Sequence, residues 1–379
     1  MSRKLPAGIM PDPRAQLPEL LLRNEGKWLR HEGMRPGVYR HISSTGEQCV
    51  TVRAQLPPNG VLSSTTYRRL ADLIDRYALV GRRTSRNSLE LVGVDPEKLD
   101  GLLAELTDLG FPVGGTGNSM HQIKCCGGFM HCQNAAVDSP SIAKAVGDRL
   151  FPGVVSQDYP AWLKISIGGC PNQCGGGVEA DVGVMGVFKG LPQVDDAALV
   201  DARCDVPLLC FWCPTGALKP KAVRGGMSVD VNAERCVRCT SCANVCPAAI
   251  QMGGPRGVAV TVGGTGSNTG RGPGLARLLV PFISLESAGS YEPVLQVIES
   301  VIGAWRYEAK QGERLGDWVD RIGWPAFLAR VGIAFDPNLI DNFSPMSVRR
   351  NLQFRWHSPT PAHPRREAWG GGRTGLAPS

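Results

Sequence analysis

The chain has 379 residues, 42% of them hydrophobic, which at roughly 150 residues per domain supports two or three units with sizeable cores and excludes a small stapled scaffold. No apolar run approaches about 18 residues, so no membrane span is expected, and the first residues, MSRKLPAGIMPDPRAQLPEL, lack the apolar core of a secretory signal, which places the protein in the cytoplasm. The net charge of +7 comes from Lys and Arg interspersed with acids, a balance that argues against nucleic acid and suits small anionic ligands.

Residues 1–45, polar and punctuated by proline and glycine, read as an arm that wraps a partner or another domain. Residues 46–120 form an α+β layer. CVTVRAQL and SLELVGV read as strands, whereas TYRRLADLIDRYAL and PEKLDGLLAELTDLG show helical periodicity, the second ending at Gly110 before Pro112. Val113-Gly-Gly-Thr-Gly-Asn-Ser119 recurs as Val262-Gly-Gly-Thr-Gly-Ser-Asn268, an echo that suggests two related halves. Such loops let backbone N–H groups reach an anion, although two ordinary turns explain them equally well. The tail, residues 358–379, has little to bury and is expected to be disordered.

Thirteen cysteines without a secretion signal point to metal or redox use, because the cytosol keeps thiols reduced. Cys236, Cys239, Cys242 and Cys246 in ERCVRCTSCANVCPAA have the bacterial ferredoxin spacing, in which three thiolates grip one cubane and the fourth ligand comes from elsewhere. Cys213, in CPTGAL, is the matching Cys-Pro, which assigns one 4Fe-4S cluster to Cys213, Cys236, Cys239 and Cys242; zinc is the rival metal. Cys204, Cys210 and Cys246 are left over and read as buried thiols. The module spans 206–255. A second constellation, CGGFMHC and CPNQC, offers Cys126, Cys132, Cys170 and Cys174 on two loops separated by the helical SPSIAKAVGDRLF, which suits a second 4Fe-4S cluster within 121–205. A structural metal site is the alternative there, and the adjacent Cys125 competes with Cys126, which the spacing favours.

The C-x5-C and C-x3-C spacing resembles the signature of siroheme-containing sulfite and nitrite reductases, and the order of parts, with a ferredoxin-like insert and the late segment ERLGDWVDRIGWPAFLARVGIAFDPNLIDNF, resembles the beta subunits of dissimilatory-type sulfite reductases. The resemblance implies two pseudo-symmetric α+β halves around siroheme, with residues 256–357 as the second half and C-terminal region. It implies Cys174 as the thiolate bridging cluster and siroheme. GRRTSRNSLEL matches the family's anion-binding segment through Arg82 and Arg86, which strand alternation would set on one face. The family's Lys-x-Lys or Lys-x-Arg pair is represented by Lys164 alone, because Trp162 stands where the first base is expected. Thr116, Asn118 and Arg271 are candidate partners for siroheme carboxylates. A further departure is Gly169-Cys170, where many beta subunits carry two cysteines.

By that resemblance the protein interconverts sulfite and sulfide-level sulfur, holds siroheme and two 4Fe-4S clusters, assembles as two alpha and two beta subunits, and meets a small sulfur-carrier protein with C-terminal cysteines. The rivals are a single-subunit anaerobic sulfite or nitrite reductase and a non-catalytic electron-transfer subunit, for which Trp162 is the best argument.

Overall fold

The computed structural model describes residues 11–121, 123–265, 274–285 and 290–335. These divide into two units, one running to Gly190 and resuming at Met252, the other covering Leu191–Gln251. Arg271, residues 1–10 and the tail 358–379 lie outside the described residues, as does the second glycine loop beyond Thr265.

After a short helix α1 (Glu19–Arg23), strands β1 (Trp28–Arg35), β2 (Val38–Ser43) and β3 (Gln48–Gln55) lead to helix α2 (Ser64–Tyr77), strands β4 (Val80–Arg83) and β5 (Ser88–Val92), and helix α3 (Leu99–Asp108). The five strands form an antiparallel sheet in the order β1-β2-β3-β5-β4. Ser63 starts α2 by accepting from the Thr66 N–H at 3.1 Å, and Leu70 and Leu73 face the sheet. Leu99, Leu102 and Leu106 of α3 complete a core with Val38, Val50, Val52 and Leu91. The expected arm, residues 1–45, is thus partly sheet: Trp28–Ser43 form a hairpin whose Val38 and Ser43 are buried. Its exposed polar residues lie mostly on the edge strand β1, while β2 is half-buried between β1 and β3, which is why composition alone reads as an arm.

The second layer begins with β6 (Lys124–Cys125), helices α4 (Ser139–Arg149) and α5 (Pro152–Val155), and strands β7 (Ile165–Gly168) and β8 (Val182–Phe188). There the second unit is inserted: β9 (Pro192–Val194), α6 (Asp196–Asp201), α7 (Val206–Trp212), β10 (Leu218–Val223), β11 (Gly226–Val231), α8 (Ser241–Val245) and β12 (Ile250–Met252). β9 pairs with β12 and β10 with β11, so the module starts at 191 rather than 206, drawing in α6, whose Leu199 is part of its core. The chain returns as β13 (Arg256–Val262) and β14 (Arg277–Ser284), followed by α9 (Glu292–Glu308), α10 (Leu315–Ile322) and α11 (Trp324–Val331).

The second sheet has the order β14-β13-β8-β7-β6, parallel from β6 to β8 and antiparallel beyond. Its strands β7, β8 and β13 are buried along almost their whole length and mostly apolar, as central strands require, with only Ser166, Arg256 and Thr261 polar. Ile298, Val301 and Trp305 of α9, with Trp318 and Phe327 meeting edge-on at 5.6 Å, close one face. Where β8 leaves and β13 re-enters, the Lys189 N–H donates to the Pro255 carbonyl at 3.0 Å, and a Cβ on Gly190 would stand 2.2 Å from the Gly253 oxygen. No described helix is long and apolar enough to cross a membrane.

Candidate cofactor and anion site

β6 and β7 are parallel neighbours, with Lys124 opposite Ser166 and Cys125 opposite Ile167, so the chain leaves both at the same end of the sheet. Cys126 follows β6 and Cys170 follows β7, which brings the two cysteine loops together beyond the carboxyl ends of adjacent strands. The Cys126 sulfur accepts from the Gly169 N–H at 3.1 Å and lies 3.1 Å from the Ser139 hydroxyl oxygen. Burial pushes the Cys170 thiol up to about 11; the backbone N–H of Asn172 works against this, while Cys132, Cys174 and Cys126 add to it. Cys170 therefore lies within electrostatic reach of each of the other three thiols. Cys132 and Cys174 are exposed, and the Asn172 side-chain amide donates to the Cys174 sulfur at 3.1 Å. Cys125 points elsewhere: its thiol meets the Pro58 carbonyl at 2.7 Å, and burial carries its pKa up to about 12.

Glycine is required where this loop folds back on the strands. A Cβ on Gly175 would stand 2.8 Å from the Ile167 oxygen, and Gly176 has φ +79° with Lys124 Nζ beside it. The Ser166 hydroxyl ties the turn by donating to the Gly175 carbonyl at 2.7 Å.

A cluster of cations is built from both sheets of the same unit. Arg53 on β3, Glu90 on β5 and Arg82 on β4 stand in one row, because Glu90 is the register partner of both arginines. Glu90 is bonded to Arg53 and Arg82 at 2.6 Å each. Burial opposes its ionisation, yet the two guanidinium groups, Arg53 first, hold its carboxyl below the usual range. Arg86 is not in the strand with Arg82; it sits in the turn before β5, where Asn87 takes φ +60°. There its Nη1 meets His121 Nδ1, and the other ring nitrogen lies 3.2 Å from the Gly117 carbonyl. Burial first, then the Arg86 charge, lowers the His121 pKa to about 3. The ring is thus neutral at ordinary pH, with Nε2–H donating to Gly117 and Nδ1 accepting from Arg86.

Lys164, before β7, gives its backbone N–H to Asp181 Oδ2 at 2.7 Å, and Asp181, before β8, is in turn bonded to Arg314 Nη2 at 2.6 Å and Nε at 3.1 Å. Burial, then Arg86 and Arg314, push the Lys164 ammonium below its ordinary pKa; burial, then Arg53 and Arg314, do the same to Arg86. Neither Arg86 nor Lys164 has a carboxylate within ion-pair distance among the described residues. Such a gathering of cations suits an oxyanion.

Thr116 departs from expectation. It is 3% exposed and its hydroxyl accepts from the Gly37 N–H at 2.8 Å, so it braces the glycine loop against β2 and has no surface to offer a cofactor. Asn118 is half-buried, with its carbonyl accepting from the Tyr159 N–H. Arg53, His121, Asp181 and Arg314 were not singled out in the sequence. Arg53 is the one charged residue of β3, and that was the available signal.

In the inserted unit Cys213, Cys236, Cys239 and Cys242 line one concavity of about 330 Å³, its mouth included, together with Thr215, Ala217 and Ser241. Arg238 and Thr240 take φ +54° and +67°, curling the loop between the cysteines. Burial pushes Cys242 up to about 12, with Cys239, Cys236 and Cys213 adding to the effect. Burial acts the same way on Cys213, but the N–H groups of Thr215, Leu218 and Ala217 outweigh it and carry that thiol below its ordinary value. Cys204 and Cys246, expected as free thiols, are joined in a disulfide, since the turn after α6 lays Cys204 against the end of α8. Cys210 is a half-buried free thiol.

Two family models match the chain: the nitrite and sulphite reductase 4Fe-4S domain over residues 116–338, and the nitrite/sulfite reductase ferredoxin-like half domain over 41–109. The dissimilatory-type sulfite reductase subunit beta of Archaeoglobus fulgidus is 34% identical over 90% of this chain and 96% of its own length. That of Nitratidesulfovibrio vulgaris is 32% identical over 89% and 92%. A dissimilatory-type subunit alpha, from Allochromatium vinosum, is 28% identical over 77% of this chain and 71% of its own length. The crystal structure of dissimilatory sulfite reductase I shares the fold, with a TM-score of 0.77, 23% identity, and coverage of 86% of this chain and 81% of that one.

Proposed function

Because the chain belongs to the dissimilatory-type sulfite reductase beta subunits of the nitrite and sulfite reductase family, we propose that it takes part in the multi-electron interconversion of sulfite and sulfide, or carrier-bound sulfur, at siroheme coupled to a 4Fe-4S cluster. The observation that carries this reading is the placement, in one unit, of a four-thiol constellation and a cation cluster with more positive charge than its carboxylates neutralise.

The residues fit the implied groups. Cys126, Cys132, Cys170 and Cys174 would hold one cluster, with Cys174, exposed on its glycine-lined loop, as the thiolate shared with siroheme; Cys213, Cys236, Cys239 and Cys242 would hold the second. Siroheme, when bound, supplies the electron-transfer chemistry at its iron. The chain's own work is electrostatic and positional. Arg86, aimed by neutral His121, and Arg82, held by Glu90, present fixed charge to an oxyanion, and Lys164 offers both a charge and a proton as oxygens leave as water. Asn118 and Arg271 are the proposed partners for siroheme carboxylates. By the same reading the chain pairs with a subunit of the alpha kind that it resembles; assembly as two of each in the cytoplasm, with a small sulfur-carrier protein as partner, rests on the family resemblance.

Trp162, in place of the expected base, favours a second reading, in which this subunit only conducts electrons. An ultraviolet-visible spectrum with iron, zinc and siroheme analysis of protein purified without oxygen tests both. Siroheme with two clusters per chain and turnover with reduced viologen is expected. Zinc with little iron would overturn the cluster assignment, and siroheme without any dependence of turnover on Arg86 would favour the conducting role.

A further inference from the structure

Arg314 is engaged on only one edge. Nε and Nη2 are spent on Asp181, the pair being 4% and 1% exposed, while Nη1 is buried without a hydrogen-bond partner among the described residues. Its guanidinium lies over the Trp162 ring at 5.0 Å, and Trp162 Nε1 is likewise buried and unpartnered among the described residues. Trp162 in turn lies against His121, with ring centroids 6.3 Å apart, and His121 holds Arg86.

An unmet buried donor is costly, and more so when it is charged. Packing has no use for two such donors on stacked neighbours. Asp181 links them to the anion site, because the same carboxylate that fixes Arg314 also fixes the backbone of Lys164, two residues beyond Trp162. The side chain is held rigidly, its charge is permanent, and its open edge is planar, which is the donor geometry that fits two oxygens of one anion.

We propose that Arg314 and Trp162 act together as an oxyanion-binding pair of this site, Arg314 supplying the cation that the sequence lacks where Trp162 replaces the expected base. The assignment deepens the functional reading above and rests on it. A carboxylate of the tetrapyrrole and the oxygens of sulfite present the same chemistry to this pair, and the two arms of the experiment separate them.

Arg314→Lys keeps a charge for Asp181 but removes the Nη1 edge, and Trp162→Phe keeps the ring but removes the N–H. Both are made in the holoenzyme, and siroheme per chain, cluster iron, thermal midpoint and sulfite affinity by optical titration are measured. If the bound group is a cofactor carboxylate, siroheme content falls in both variants while the loaded fraction binds sulfite normally. If it is the sulfur oxyanion, siroheme content holds and sulfite binding weakens by about ten- to a hundredfold in Arg314→Lys and about two- to tenfold in Trp162→Phe. Unchanged siroheme content together with unchanged sulfite affinity in both variants overturns the proposal, leaving Arg314 a packing residue whose loss shows only as a lower melting temperature. Should Arg314→Lys fail to fold, Trp162→Phe decides alone by the same criteria. Unmutated protein that carries no siroheme would overturn the functional reading itself, and this assignment with it.

Discussion

The two cysteine constellations solve one problem in different ways. In the inserted unit three of the four cysteines lie within seven residues, Cys236 to Cys242, on a loop curled by residues with positive φ, and Cys213 completes the set from the end of α7. In the larger unit the four cysteines come from two loops about forty residues apart in sequence, and only the parallel pairing of β6 with β7 brings the loops together. The first site is carried by local backbone geometry, the second by the tertiary fold. Their surroundings differ accordingly. The inserted site is wrapped by backbone N–H groups that favour the thiolate of Cys213, as suits an electron carrier, whereas the other shares its unit with Arg86, Lys164 and their neighbours, as suits a site that binds an anion.

The largest expected effect breaks one site and spares the other. Cys174→Ala should abolish the coupled siroheme-cluster signal while leaving the signal of the inserted cluster intact, as read by electron paramagnetic resonance; an unchanged coupled spectrum would contradict the bridging role. Cys239→Ser is the mirror experiment, expected to remove about half of the cluster iron with siroheme retained, and loss of both clusters would show that the two sites fold as one.

Arg86→Ala comes next. Losing a charge-assisted contact of about 1.5 to 3 kcal/mol should weaken sulfite binding about tenfold to a hundredfold at constant siroheme content. Normal sulfite affinity in the variant would remove Arg86 from the anion site.

His121 gives a smaller effect with a defined sign. Its folded pKa, about 3, lies below the ordinary 6.5, so below pH 6.5 the unfolded chain takes up a proton that the folded one refuses. Stability should fall by up to about 1.4 kcal/mol per pH unit as the solution is acidified below 6.5. His121→Gln should flatten that slope in melting curves between pH 6.5 and 5, and an unaltered slope would exclude His121 as its source. The smallest effect concerns Lys164, whose ammonium sits below its ordinary 10.5. Sulfite affinity should decline on the alkaline side earlier than for an ordinary lysine, and Lys164→Arg should move that decline upward.

Much of this was legible locally. The helices α2 and α3 follow from apolar spacing, the second with its stop at Gly110, and the cysteine constellations were picked out by spacing because their loops are short. What escaped notice was long-range or conditional on burial. Arg314 and Asp181 are 133 residues apart, and nothing in either segment announces the other. Thr116 looked like a cofactor contact because its loop is glycine-rich, whereas the side chain is turned inward to the Gly37 N–H. Arg86 was set on a strand face by alternation, but Asn87 turns the chain there. The hairpin Trp28–Ser43 hid behind the polar surface of its edge strand β1, and the Cys204–Cys246 bond depends on how α6 and α8 pack, which no spacing records.

The abutting backbones of Gly190 and Gly253 bear on how such a protein is assembled from parts. β8 and β13 are hydrogen-bonded neighbours along their whole length, and β9 pairs with β12 at the two ends of the inserted segment, so the module once folded holds its own ends together and leaves the host little loop-closure entropy to overcome. The same geometry makes the junction severable: joining Lys189 to Pro255 through a two-residue turn would convert β8 and β13 into an ordinary hairpin. A chain shortened in this way should keep the four-thiol loops and the cation cluster, and lose only the constellation of Cys213, Cys236, Cys239 and Cys242.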